Sequence, residues 1–262
     1  MHSPSEYKPP ILILANPTAG AGKGRASRLR LLERVQADFE KQGWSVHIGL
    51  ENESSGIRER AHHAAKAGAP LIVAAGGDGT VNAVANGILS ASGGQKSDTK
   101  LGVLPLGTGN VFAFNLGLGK GWKGACKTIR EGHTRRIDAG LAIPLEGARA
   151  ASKTNGGAGA EERYFLLMAG VGFDAKVIED TSLRLKFVLR DFAYALRSLQ
   201  NAVVHRGTHV TLTFPDGRVE NFFSWLLMAG NAASYAWAIR FTEQARLDDG
   251  KLDVCAFPFE NK

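Results

Sequence analysis

The chain has 262 residues, 44% of them hydrophobic and 22% charged, with two cysteines. That composition excludes a disordered, fibrous or disulfide-stapled chain and, at about 150 residues per domain, predicts two domains with cores of their own. Its 32 lysines and arginines against 25 acidic residues give a net charge of +7 and a pI near 9.5, which calls for an anionic partner (nucleotide, nucleic acid or acidic membrane face) without choosing among them.

The first half alternates strand and helix. ILILA (11–15) is a strand, followed by the loop NPTAGAGKG and a helix from about Arg25 to Lys41 with Leu29, Leu32, Val35 and Phe39 on one face. SVHIGL (45–50) is a second strand, and Ile57 to Ala67 a second helix. LIVAA (71–75) is a buried strand running into glycines. Beyond it Val81, Val84, Ala85, Ile88 and Leu89 recur at helical spacing, with Thr80 or Asp78 placed to cap the helix start. LGVLP (101–105) is a strand, LGTGN a loop, and Val111 to Asn115 a short helix. Such alternation predicts an α/β domain with a parallel sheet covered on both faces.

After Gly132 the pattern changes. RRIDAGLAI, RYFLLMAGVGF, HVTLTFPDG, FFSWLLMAG and KLDVCAF read as strands, and FPDGRV as a tight turn. The segment 146–162, small, polar and glycine-rich, reads as a mobile hairpin tip. The exception is 181–204, a helical stretch whose apolar positions (Leu185, Val188, Leu189, Phe192, Leu196, Leu199) alternate with Arg184, Lys186, Arg190 and Arg197. Core packing explains such a stripe, as does a face resting on anionic lipid. The second domain is therefore mainly β and sandwich-like with a helical insertion, which places the α/β domain at 8–135 and the β-rich one at 136–262.

NPTAG, GGDGT and LGTGN each follow a strand of a parallel sheet, so all three lie on its carboxyl edge, where ligands sit in such sheets. A glycine turn at a helix N-terminus receives anions, because the backbone comes close and the first-turn amides point at the guest. Asp78 inside that turn would repel a bare phosphate. The conflict disappears if magnesium and its waters stand between carboxylate and phosphate; otherwise Asp78 only caps its helix. GAGKG (20–24) lacks the G-x-x-x-x-G-K-[ST] spacing, and GTGNVF the third glycine of G-x-G-x-x-G. Lys23 either touches a phosphate or is a solvated loop lysine. Cys126 and Cys255 form no metal-ligand pattern and fit a reducing compartment. The start MHSPSEYKPP lacks a secretory pattern, and no run approaches the roughly 18 apolar residues of a membrane span.

With NPTAG, GGDGT and LPLGTGN in this order, and RRIDAGLA, FLLMAGVGFDA, FAYALRSL and LDDGKLDV beyond them, the chain resembles the diacylglycerol kinase catalytic family from about Ile11 to Phe257. That family includes bacterial lipid kinases and sphingosine kinases. The resemblance implies a nucleotide-binding α/β domain and a β-rich domain, with ATP and a lipid meeting in the cleft and the γ-phosphoryl group passing to a lipid hydroxyl. It implies ATP and Mg2+ as cofactors, a cytoplasmic location and a lipid substrate (diacylglycerol-like or sphingosine-like) taken at a membrane surface. By motif match Asn16, Pro17, Thr18, Ala19 and Gly20, with Gly76, Gly77, Asp78, Gly79, Thr80, Val81, Asn82 and Ala83, would line the phosphates, and Thr108 would contact ATP. Asp78, acting through magnesium, and Asp138, where the family has a carboxylate facing the cleft, are the catalytic candidates. In ARLDDGKLDV a structural magnesium would take the Asp249 side chain and the carbonyls of Arg246 and Lys251; the alternative is a plain turn.

The chain departs from the pattern in places. Ala83 stands where an acidic residue is usual, Val111 where GTxND has aspartate, and Leu50, Glu51 and Asn52 where a nucleotide-contacting threonine is expected. The family's later DGE motif, which carries its proposed general base, does not occur in these residues, and Asp216–Gly217 in its hairpin is no substitute. Apolar edges that such a segment would cover are then expected to lower stability or favour association as a homodimer. Three readings follow: a lipid kinase, active or impaired to a nucleotide-binding protein without turnover; an NAD kinase-type small-molecule kinase, against which NPTAG and LPLGTGN argue; and a basic nucleic-acid module. The last lacks an aromatic-rich recognition motif or a lysine stripe, so no nucleic-acid partner is expected.

Overall fold

A computed structural model describes residues 10–17, 24–118, 121–145, 161–172, 207–236 and 239–258. Its contacts divide the chain into two compact units, Met1–Leu166 and Leu167–Lys262.

In the first unit, strands β1 (Ile11–Ala15), β2 (Val46–Leu50), β3 (Leu71–Gly76) and β4 (Lys100–Pro105) form a parallel sheet in the order β2-β1-β3-β4. Every residue of β3 is buried, as a central strand covered on both faces requires, which is why its sequence is an unbroken apolar run. Ala15 pairs with Ala75 and Gly76 with Pro105, so β1, β3 and β4 end level with one another.

The helices are α1 (Arg25–Glu40), α2 (Ser54–Lys66), α3 (Asp78–Ala91), α4 (Val111–Asn115) and α5 (Gly121–Glu131). Leu32, Val35 and Phe39 of α1 and Ala125 and Cys126 of α5 share a core with Ile11, Ile13, Val73 and Ala75. Helices α2 and α3 cover the opposite face, where the side chains of Leu14 and of Arg60 from α2 close over Gly49. Helix α5 was not anticipated. Both cysteines are free thiols; burial, with Asp38 adding to it, raises the Cys126 thiol to about 11.

Helix α3 is held tightly on two sides. At Gly87 a Cβ would stand 2.5 Å from Ala61 Cβ and 2.8 Å from the His62 nitrogen, so α2 and α3 touch backbone to backbone. Gly87→Ala is expected to push them apart and cost about 1–3 kcal/mol, the usual range for overpacking, read from chemical denaturation; a wild-type midpoint would mean the helices separate freely. On the other side, buried Asn86 clamps the antiparallel pair of β5 (Gly140–Ala142) and β6 (Arg163–Phe165). Its Oδ1 accepts the Tyr164 amide at 2.9 Å, and its Nδ2 donates to the Tyr164 carbonyl at 2.8 Å. Strands β5 and β6, expected in the second domain from 136, fall in the first unit, which ends at Leu166.

The second unit is an antiparallel sheet of β7 (Met168–Gly172), β8 (Thr208–Thr213), β9 (Val219–Gly230) and β12 (Asp253–Pro258), with a small pair of β10 (Ser234–Ala236) and β11 (Ile239–Arg240). The long β9 pairs with the other three. The FPDGRV turn closes as expected: Phe214 donates to the Arg218 carbonyl at 2.9 Å, and Gly217 takes φ 84°. The single strand expected over RYFLLMAGVGF is two, β6 and β7, parted at Leu166–Leu167 where the units divide. The expected helix over 181–204, and all of the expected loop 146–162 except its last two residues, lie outside the described residues.

Candidate functional site: a rim of glycine loops

Because β1, β3 and β4 are adjacent, parallel and level, the NPTAG, GGDGT and LGTGN loops leave the sheet on one edge. The loop after β2 joins them: the Asn16 Nδ2 donates to the Asn52 carbonyl at 2.8 Å, and the Glu51 amide to the Ala15 carbonyl at 3.0 Å. Pro17 is buried beside them, and Thr18, Ala19, Gly20 and Lys23 lie outside the described residues.

Two of the loops touch. The amides of Leu106 and Gly107 both donate to the Gly76 carbonyl, at 2.9 and 3.2 Å. A Cβ on Gly107 would penetrate Gly77, standing 2.9 Å from its nitrogen and closer still to its Cα. Asn110 locks this arrangement. At φ 52° it is left-handed, alone among described non-glycine residues, and its side chain accepts the Gly107 amide at 2.9 Å and donates to the Gly107 carbonyl at 2.8 Å. Asparagine tolerates that conformation better than most residues, a signal in LGTGN that sequence reasoning passed over.

The capping expected of Asp78 or Thr80 is corrected by the structure. Gly77 is the N-cap of α3 and no side chain caps it. Asp78 instead reaches across to α4: its Oδ2 accepts the Val111 amide at 3.1 Å and its Oδ1 the Phe112 amide at 2.9 Å. A carboxylate at a helix N-terminus satisfies orphan donors and complements the helix dipole. The helix it serves is 33 residues downstream, so the bond fastens one glycine loop to the other.

The remaining residues divide between rim and interior. Thr80 is buried, with its Cβ 2.6 Å from where a Gly76 Cβ would stand, so only glycine fits at Gly76. Val81 and Ala83 face the core, and the half-buried Asn82 lends its carbonyl to Asn86 at 2.8 Å. The Thr80 and Val81 amides donate to the Gly77 carbonyl, so the first-turn amides that α3 leaves for a guest are those of Asp78 and Gly79. Gly79 and Thr108 are exposed, and Asn16, Gly77 and Asp78 half-buried.

Asp138 is half-buried two residues before β5, the strand whose partner Asn86 fixes to α3. In the second unit, Asp249 Oδ1 accepts the Lys251 amide at 3.1 Å across Gly250 at φ 70°, and Arg246 lies 3.8 Å from Asp248. Those are the bonds of a turn; they occupy one lone pair of an exposed carboxylate. Among the described residues no group of three His, Cys, Asp or Glu side chains is placed to hold a metal.

The sequence profile described as the diacylglycerol kinase catalytic domain matches residues 10–142, the stretch that carries every loop of the rim and Asp138. The chain belongs to this family. The protein named Probable lipid kinase YegS-like from Chromohalobacter salexigens is 33% identical over 231 residues, covering 88% of this chain and 68% of that relative. A diacylglycerol kinase of Staphylococcus epidermidis is 30% identical over 242 residues, covering 91% of this chain and 67% of its own length. A solved diacylglycerol kinase structure from Bacillus anthracis str. Sterne superposes with a TM-score of 0.65 at 25% identity, over 95% of this chain and 73% of that one. Within this diacylglycerol kinase family member, no helix among the described residues is long and apolar enough to cross a membrane.

Proposed function

We propose that the chain is an ATP-dependent lipid kinase that transfers the γ-phosphoryl group to a hydroxyl of a diacylglycerol-like or sphingosine-like lipid at a membrane surface. The observation that carries this reading is the contact of the GGDGT and LGTGN loops, Gly107 against Gly77, over the N-terminus of α3. Phosphoryl transfer demands mainly positioning and charge stabilisation, and a rim whose backbone spacing is fixed supplies the positioning. The amides of Asp78 and Gly79 would receive phosphate oxygens, with Asn16 and Thr108 beside them.

The donor set suits magnesium held through water. Asp78 uses one lone pair of each oxygen on the α4 amides, and a carboxylate has about four acceptor sites, so two remain for water of a hydrated ion. Magnesium, when bound, would neutralise phosphate charge. Asp138 would accept the proton of the lipid hydroxyl as its oxygen bonds to the γ-phosphorus and ADP leaves. Asp249, with the carbonyls of Arg246 and Lys251, would hold a second, structural magnesium at the DDG turn.

Incubating the chain with γ-labelled ATP, magnesium and separate vesicles of diacylglycerol, sphingosine or phosphatidylglycerol, alongside NAD, tests this. Label in a lipid is the expected result. Label in NAD alone would establish the other kinase class, and nucleotide binding with no labelled product would make the chain a binding protein without turnover.

A further inference from the structure

Helices α1 and α5 lie side by side and run the same way. Arg34, midway along α1, stands over Trp122 at the start of α5, and Asp38, one turn further on, pairs with Arg130 near the end of α5. Leu32, Val35 and Phe39 of one helix and Ala125 and Cys126 of the other face the shared core, and the half-buried Trp122 packs against it. On the solvent side two cations gather at that indole. The Arg34 guanidinium lies 5.6 Å from the ring centroid and the Lys123 ammonium 5.8 Å, attracted by the negative face of the ring.

The charge there is not compensated. Arg30, Arg34 and Lys123 are exposed, and among the described residues none of the three is ion-paired: Asp38 is taken by Arg130, Glu131 by Lys127, and Glu33 pairs with none of them. Arg30 and Arg34, four residues apart, are neighbours on one helix face, where like charges repel. Packing does not require this cluster, since none of the three side chains belongs to the core. A partner with spread negative charge does. Long aliphatic stems with charged tips, set round a tryptophan that is apolar on one side and wet on the other, have the composition of residues that settle among lipid headgroups.

We infer that this ridge of α1 and α5 is the surface by which the protein docks on an anionic phospholipid bilayer, with Arg30, Arg34 and Lys123 on the phosphates and Trp122 at the level of the headgroups. That the polyanion is a lipid rather than a nucleic acid rests on the function proposed above; that the ridge takes a polyanion does not.

The test is sedimentation of the full chain with vesicles of phosphatidylcholine, with and without phosphatidylglycerol, beside titration with a DNA oligonucleotide. Two triple variants are compared with the wild type. One carries Arg30→Gln, Arg34→Gln and Lys123→Gln on the ridge; the control carries Lys66→Gln, Lys96→Gln and Lys100→Gln, exposed cations elsewhere. The expected result is binding to phosphatidylglycerol vesicles about 10–100-fold weaker in the ridge variant, the scale for removing two or three charges from an anionic surface. The control should lose less, and magnesium–ATP affinity and melting temperature should not change in the ridge variant. An equal loss in both variants reports net charge alone and overturns the inference, as does a wild type that ignores the vesicles; lipid labelling then decides the kinase reading separately. An oligonucleotide bound through the ridge in place of vesicles also overturns it. Docking through the ridge by a chain that labels no lipid supports the inference and removes the kinase reading. Should the ridge variant not fold, Lys123→Gln alone decides: weaker vesicle binding at an unchanged melting temperature supports the assignment, and unchanged binding overturns it.

Discussion

Replacing Gly107 with alanine is expected to cost about 1–3 kcal/mol of stability and to weaken ATP binding. The new methyl would stand 2.9 Å from the Gly77 nitrogen and from Asn110 Oδ1, and closer to Gly77 Cα. Neither backbone neighbour is a flexible side-chain tip that can swing aside, so the loops must part. For stability alone, Gly79→Ala is the matched control. Nothing lies within 4 Å of a Cβ at Gly79, and alanine is the better helix former, so its fold should be as stable as the wild type or slightly more so. Thermal melts of both variants and ATP titration of Gly107→Ala against the wild type read the two effects. A Gly107→Ala protein that melts and binds like the wild type would show that the loops do not touch in solution.

Removing the Asp78 carboxylate is expected to be the second large perturbation. Asp78→Ala leaves the Val111 and Phe112 amides without acceptors, at a cost of about 3–6 kcal/mol if each loss falls in the range for bonds to a charged group. Asp78→Asn keeps one acceptor oxygen and should fall between. This changes what an Asp78 variant means. Loss of nucleotide binding in Asp78→Asn would follow from loosening α4 and the LGTGN loop even if no metal touched the residue. The clean readout is the ratio of ATP affinities with and without magnesium, measured for wild type and Asp78→Asn where both are folded. A ratio that collapses in the variant assigns magnesium to Asp78; a ratio that persists beside weaker binding restricts Asp78 to holding α4.

These two cases mark how far the amino-acid sequence could be read. The α/β unit was legible because β3 is an unbroken apolar run and the helices around it repeat at helical spacing, properties local to each segment. Convergence of the loops was legible because a parallel sheet puts all strand ends of one sense on one edge. What Asp78 bonds was not. Its partners are 33 and 34 residues away, and a carboxylate beside a helix start carries no mark of which helix it will serve. The same holds for Asn86 and Tyr164, 78 residues apart, whose bonds carry the first unit past the boundary that composition suggested. Helix α5 is a different kind of miss. Trp122, Ala125, Cys126 and Ile129 have helical spacing and pack into the core, but Gly121 and Gly124 interrupt the stretch and hide the signal.

The reciprocal bonds between the Asn110 side chain and Gly107, together with the main-chain contact at Gly77, fix the spacing of the two loops. Such a junction admits no bulkier residue at Gly107 without parting the loops. Discrimination among guests of differing girth must then be delegated to the periphery, where Thr108 is exposed.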